Sequence, residues 1–467
     1  MKNIILIASI FHLFPLWGTG GFYAQNIKFE DENFKQALIS GGIDKNRDNE
    51  ISMQEAEVVD FLDVADKNIA SLQGIEYFTN LKKLDCSDNI LATLNASKNI
   101  NLKYLDCSGN GNGFMALNVS KNVNLKELYC YENFLETLNV SNNVNLEVLD
   151  CGFNQLTILD VSKNINLKKL GCNNNQLTAL DVSKNTHLSE LVCFANHRLT
   201  SLDVSKNINL KNLKCSVNQL TTLDVSNNIN LEVLECSFNQ LTTLDVSQNT
   251  ALTELWCDNN PLGSLDVSDH INLRDLDCAH NQLTALDISN NVNLEILDCN
   301  TNELTALDVS NNVSLHILVC NDNPLTKLDV SKNINLKRIN CSNNQLTALD
   351  ISKNINLQTL GCDSNQLTTL NISDNVNLET LVCRYNLLKI LDVSKNINLT
   401  HLQCRNNQLF SLFMKNGINE GVHDFRNNPN LAFICCDEND LEKIKNYVTQ
   451  NNIGKNPKIT SDCDGKK

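Results

Sequence analysis

Residues Leu159–Ala179 read LDVSKNINLKKLGCNNNQLTA, and the stretch directly after them, Leu180–Thr200, reads LDVSKNTHLSELVCFANHRLT. The second is the first with some side chains exchanged, and each carries one cysteine. Working outward, sixteen cysteines fall in step: Cys86, Cys107, Cys130, Cys151, Cys172, Cys193, Cys215, Cys236, Cys257, Cys278, Cys299, Cys320, Cys341, Cys362, Cys383 and Cys404. The step is 21 residues, except for 23 before Cys130 and 22 before Cys215. The unit is L-x-x-L-x-C-x-x-N-x-L-x-x-L-D-V-S-x-N-x-x. Alternation within x-L-x-C-x is the period of a strand. One copy cannot bury its own apolar face, whereas stacked copies share a continuous core.

Leu at positions 1 and 4 and Cys at position 6 therefore point inward. Cysteine is small and apolar enough to serve as a core residue. Adjacent parallel strands lie ~4.8 Å apart, and a disulfide needs Cβ atoms nearer ~3.8 Å. The sixteen are expected to form a ladder of buried free thiols even outside the cell. Position 9 is Asn in every copy, from Asn89 to Asn407. An inward Asn can satisfy backbone groups where the strand turns. The second half, L-x-x-L-D-V-S-x-N, supplies a second inward row of Leu and Val. Its Asp recurs from Asp160 to Asp350 and at Asp392, with Asn95, Asn118, Asn139 and Asn371 as substitutes. The glycine-rich pattern of calcium-binding β-rolls is absent. Lysines three residues on, such as Lys163 and Lys184, suit a solvated charged face.

The first eleven positions match the signature L-x-x-L-x-L-x-x-N/C-x-L, with Cys at the sixth. Over roughly residues 27 to 463 the chain resembles the secreted, internalin-like leucine-rich-repeat proteins of bacteria, in a cysteine-bearing short-repeat variety. The resemblance implies a leucine-rich-repeat solenoid: a right-handed superhelix, mainly β, with a parallel strand ladder on the concave face and short helical caps. It also implies a protein-binding scaffold that does no chemistry.

The ends depart from the unit. MKNIILIASIFHLFPLWGTGGFYAQ has the anatomy of a signal peptide over residues 1–25, and export to the surface or medium is expected. Residues 26–80 read as an N-terminal cap, 81–414 as the array and 415–467 as a C-terminal cap. DENFKQALIS reads as a helix capped by Asp31. DKNRDNEISMQE then fits the EF-hand loop pattern, except that Asn49 stands in the glycine place. Calcium is the expected ion. Asp44, Asn46 and Asp48 would give side-chain oxygens, Glu50 its carbonyl, Ser52 a direct or water-mediated contact and Glu55 a bidentate carboxylate. Three cysteines lie outside the ladder. Cys463 is expected to staple the C-terminal cap through Cys436, with Cys435 as the alternative.

The formal charge of −16 disfavours nucleic acids and anionic membranes as partners. No phosphate loop, dinucleotide fingerprint or catalytic trio can be picked out, so no enzymatic role is expected. Exposed strand positions 3, 5 and 7, with 8 at the rim, carry Tyr104, Tyr129, Tyr131, Phe153, Phe194, Phe238 and Trp256. Such aromatics mark interfaces. Glu254, Asp258, Asp275, Asp277 and Asp298 surround Trp256 with acid, so a ligand with basic groups would suit the middle. The expected partner is a protein, bound by a monomeric scaffold with no membrane insertion after leader removal. A glycan- or cell-wall-binding adhesin is the alternative.

Overall fold

The structure is a computed structural model and describes residues 25–111, 113–417 and 422–463. Residues 1–24, which hold nearly all of the expected leader, lie outside the described residues. None of the described helices is long and apolar enough to cross a membrane.

Eighteen parallel strands form one long sheet, from Phe61–Asp63 to Val422–Asp424. Each three-residue strand pairs in register with its neighbours, as Glu254–Trp256 does with Val233–Glu235 and Asp275–Asp277. At ~4.8 Å per strand the ladder is about 80 Å long. The first strand precedes the first ladder cysteine and the last follows Cys404, so one degenerate turn extends the array at each end. The middle residue of each array strand, a Leu or Ile, is buried, and its flanking residues face out. The cysteine that follows is buried in every turn, and all sixteen are free thiols. Burial pushes their pKa values up, to about 12 for Cys193 and Cys341.

Each strand ends because position 8 turns left-handed, even where the residue is unsuited to it: φ is 58° at Val217, 51° at Thr301 and 52° at Phe153. β-branched and aromatic side chains resist this conformation, and the position-9 Asn ladder holds it. Asn175 donates through Nδ2 to the Cys151 and Cys172 carbonyls at 3.0 and 3.2 Å. Its Oδ1 accepts from Leu156 N–H at 2.9 Å. One amide thus bridges two turns at a buried bend.

On the opposite wall the DVS unit makes a tight turn. Asp160 Oδ1 accepts from Ser162 N–H at 2.9 Å. Hydrogen bonds from Ser162, ahead of any contribution from Lys163, hold the carboxyl below its usual range. The charged row is therefore anchored by serine two residues on more than by the lysine at three. The Asn of S-x-N is a second buried ladder: Asn164 Nδ2 donates to the Val140 and Asn143 carbonyls at 3.0 and 2.8 Å. His270 stands in this ladder for one Asn, its Nε2 3.0 Å from the Val246 carbonyl.

The caps close the ends. Helix α1 (Glu32–Ser40) starts on Asp31, whose Oδ1 accepts from Asn33 and Phe34. Helix α2 (Met53–Glu57) starts on Ser52 with a reciprocal bond to Glu55. At the far end the back wall becomes a sheet of four strands, Ile390–Asp392, Ser411–Phe413, Phe433–Cys435 and Lys458–Thr460. Helix α3 (Leu441–Gln450) packs there, its Tyr447 ring 5.0 Å from Phe425.

The disulfide in this cap joins Cys435 to Cys463, with Cα atoms 5.7 Å apart, and this corrects the expected Cys436–Cys463 pair. Strand alternation is the reason. Ile434 and Cys436 point into the main core, whereas Phe433 and Cys435 point to the other side, where Phe413 and Cys463 lie. Cys436 stays a buried free thiol.

Candidate partner-binding face

The strands hold their outward side chains at fixed positions on a rigid ladder. Tyr104, Tyr129 and Trp256 lie within strands; Tyr131 and Phe194 follow the ladder cysteines; Phe153 and Phe238 stand at the left-handed rim. Only Tyr104 and Tyr129 of the seven touch, with ring centroids 5.5 Å apart. Trp256 lies six strands further along, roughly 30 Å away. The expected residues therefore make two patches rather than one.

The first patch is larger than the repeat pattern suggests. Phe61 is 52 % exposed at the start of the ladder. The Lys83 ammonium lies 5.3 Å from its ring centroid and 4.2 Å from that of Tyr104. Both distances suit cation–π attraction. Tyr129 O–H donates to Glu127 at 3.2 Å, and burial followed by Glu127 pushes its pKa up to about 12. Phe61 escapes a search keyed on cysteine spacing, and Lys83, three residues before Cys86, escapes one keyed on aromatic rings. The triplets FLD, KLD and YLD at residues 61–63, 83–85 and 104–106 are the signal that aligns them. Beside this patch, Tyr129, Lys169, Gly171 and Glu190 line a depression of ≈ 220 Å³. A Cβ at Gly171 would stand 2.7 Å from Asp150 Oδ1, so a larger residue there would displace that carboxylate.

The second patch centres on Trp256, which is 37 % exposed. Trp256, Asp275, Asp277, Asp298, Ile296, Ile317, Val319 and Arg338 line a depression of ≈ 330 Å³. Toward the C-terminus Arg384 pairs with Asp363 at 3.1 Å, and Arg405 lies 5.7 Å from the Tyr385 ring.

The N-terminal loop has the hard-oxygen donors that calcium favours. Asn49 has φ 63°, the left-handed turn that the glycine place requires. Asp44 accepts from the Arg47 and Asn49 amides at 2.6 and 3.0 Å. Glu55 accepts from Lys45 N–H and Ser52 N–H at 2.8 and 2.9 Å. Burial works to raise the Glu55 carboxyl, but these bonds hold it below the usual range. Asn46 donates to Asp48 at 3.0 Å, and the Glu50 carboxylate pairs with Lys35 at 2.8 Å. The loop thus satisfies its own carboxylates. Among the described residues no three His, Cys, Asp or Glu side chains converge as a metal set.

Comparison with known proteins agrees with this architecture. The family described as Leucine Rich repeats (2 copies) matches residues 229–270. No curated protein sequence matches the chain. Among solved structures, the functional domain of InlJ from Listeria monocytogenes, described as including a cysteine ladder, is 33 % identical. It aligns over 83 % of this chain and 81 % of its own, with a TM-score of 0.68. The leucine-rich-repeat protein LIC12759 of Leptospira interrogans is 23 % identical over 87 % of this chain and 97 % of its own, at TM-score 0.56. The plant peptide hormone receptor RGFR1, solved with RGF2, is 17 % identical over 83 % of this chain and 72 % of its own, at TM-score 0.65. The two lower identities speak for the fold alone. With its stacked turns of about 21 residues, its thiol ladder and its likeness to InlJ, the chain belongs to the leucine-rich-repeat family.

Proposed function

We propose that the protein is an exported, non-catalytic scaffold that binds a polypeptide partner along its strand face. The observation that carries this reading is the set of aromatic side chains held half-exposed on a rigid sheet. The Phe61–Lys83–Tyr104–Tyr129 patch and Trp256 are its two centres. Large rings on a preorganised surface contribute contact area at low entropic cost. The fold is also one on which a peptide ligand has been seen, as in RGFR1 with RGF2. Selection of a displayed random-peptide library on the purified chain tests the proposal. Binders whose retention falls on Tyr129→Ala or Trp256→Ala support it; indifference of every binder to both changes sinks it. A glycan- or cell-wall-binding role is the second reading, since rings flanked by carboxylates also suit sugars. Glycan-array retention lost on the same substitutions would favour it.

The Asp44–Glu55 loop is proposed to take calcium and so to stiffen the open N-terminal end. Binding to the folded state alone raises apparent stability. The melting temperature should rise with calcium and fall with chelator, and an unchanged melting curve removes the loop as a metal site.

A further inference from the structure

Over much of the strand face, charge is neutralised inside the protein. Lys169 pairs with Glu190 at 2.9 Å, Lys214 with Glu235 at 2.6 Å and Arg384 with Asp363 at 3.1 Å. Among the described residues, carboxylates without an ion pair stack in register at Asp63, Asp85 and Asp106 in the first turns, and again around Trp256, where they border a depression lined by the indole. Glu254 stands in register with Asp275, and Asp277 with Asp298, on neighbouring strands. Asp258 adds a fifth carboxylate just past the strand. None of the five forms an ion pair among the described residues. Like charges directly opposite across a ladder destabilise it. Burial, then Asp258, pushes the Asp277 carboxyl up to about 7. The cation lining the depression is Arg338, in register with Ile317 and so two strands beyond Asp298. The same depression is apolar along one flank, through Trp256, Ile296, Ile317 and Val319.

We propose that this stretch receives a basic, extended polypeptide segment, with lysine or arginine against Asp275, Asp277 and Asp298 and an apolar side chain beside Trp256. The assignment rests on the strand-face reading given above. Charge complementarity selects the occupant. A neutral glycan would leave the in-register carboxylates facing each other, and an anionic partner would worsen their repulsion. A cationic side chain relieves that repulsion and stacks on the indole. Its aliphatic stem lies along the isoleucines.

The chain contains two tryptophans, Trp17 in the expected leader and Trp256, so the chain without that leader, or with Trp17→Phe, holds one tryptophan, excited selectively over the tyrosines and placed at the site. The probe is a synthetic peptide of alternating lysine and leucine, with an alternating glutamate and leucine peptide as its counterpart. The lysine peptide should shift Trp256 emission saturably, and the glutamate peptide should not. The double change Asp275→Asn, Asp277→Asn should weaken binding roughly tenfold or more. It removes repulsion, so the variant should fold, as a melting curve shows. Asp266→Asn with Asp287→Asn on the back wall lowers net charge equally and should leave affinity unchanged. Equal weakening by both pairs, equal binding of both peptides, or the same saturable shift from calcium chloride alone would overturn the proposal. Library-selected binders that need Trp256 but not the carboxylates would overturn it while leaving the strand-face reading intact. A library with no strand-face binder would overturn both.

Discussion

Cysteine behaves in opposite ways in two regions of this molecule. In the array, sixteen cysteines stand in a row and none is bonded to another. In the C-terminal cap, Cys435 and Cys463 form a disulfide across 28 residues. The difference is geometric. Parallel strands in register place equivalent side chains one strand spacing apart and aim them the same way, which keeps Cβ atoms too far apart to bridge. In the cap, Cys463 lies three residues beyond Lys458–Thr460, the strand paired with Phe433–Cys435. From there its chain can approach Cys435 from the side. A repeat array gives its cysteines a packing role, whereas in the irregular cap, where the repeat pattern stops, a covalent tie holds the strands together.

The comparison can be broken or sharpened by substitution. Cys463→Ser should have the largest effect. Opening a loop of 28 residues costs about 3–4 kcal/mol by loop-closure entropy. The loss should fall on the cap, seen as faster hydrogen exchange in α3 and the Lys458–Thr460 strand. A uniform loss of protection along the whole array would show that the tie is not local. Next comes Asn175→Ala in the array, which strands the Leu156 amide and leaves the Cys151 and Cys172 carbonyls with one donor each, from Asn154 at 3.1 Å and Asn196 at 3.0 Å. One unsatisfied buried amide makes this a loss of about 1–3 kcal/mol, read from denaturant melts. A change under about half a kcal/mol would mean that the bend holds itself.

Cys257→Ala removes one thiol from the middle of the row and should cost about 1 kcal/mol, the effect of a small cavity. The matching chemical test is labelling. A thiol-reactive dye should leave the ladder cysteines and Cys436 unmodified in the folded protein and label them all in denaturant. Prompt labelling of most of them without denaturant would mean that the buried row does not exist.

The last test concerns pH. Asp277 is held near 7 in the folded chain, above its unfolded value. A raised carboxyl contributes stability that is present at low pH and lost as pH rises through the folded value. Melting temperature should therefore decline between about pH 4 and pH 7, and Asp277→Asn should flatten that decline. An identical slope in the variant would assign it to other groups.

Much was legible because the repeat writes the same sentence many times. Inward Leu, inward Cys and the position-9 Asn ladder could be read from spacing, since only a stack explains a fixed period with fixed apolar places. The second Asn ladder was equally periodic but went unread. A polar residue in a nominal loop gives no sign of burial until His270 is seen fully buried in its place, 3.0 Å from a carbonyl. At the candidate site, Trp256 and its acids could be found from sequence. Phe61 could not, because its turn carries no ladder cysteine, and Lys83, though in step with Cys86, has no ring to mark it.

The sequence by itself determined the stack: its period, its core residues and the prediction that neighbouring thiols stay apart. These follow from one-dimensional alternation and a fixed strand spacing. Tertiary structure alone decided which cap cysteine faces Cys463, that the aromatics fall into two patches, and that the acids near Trp256 form no ion pair among the described residues while Glu190, Glu235 and Asp363 each do. Each of these depends on which way a side chain points and what stands one turn away. A linear period carries that information within the array but loses it where the repeat ends or its composition drifts.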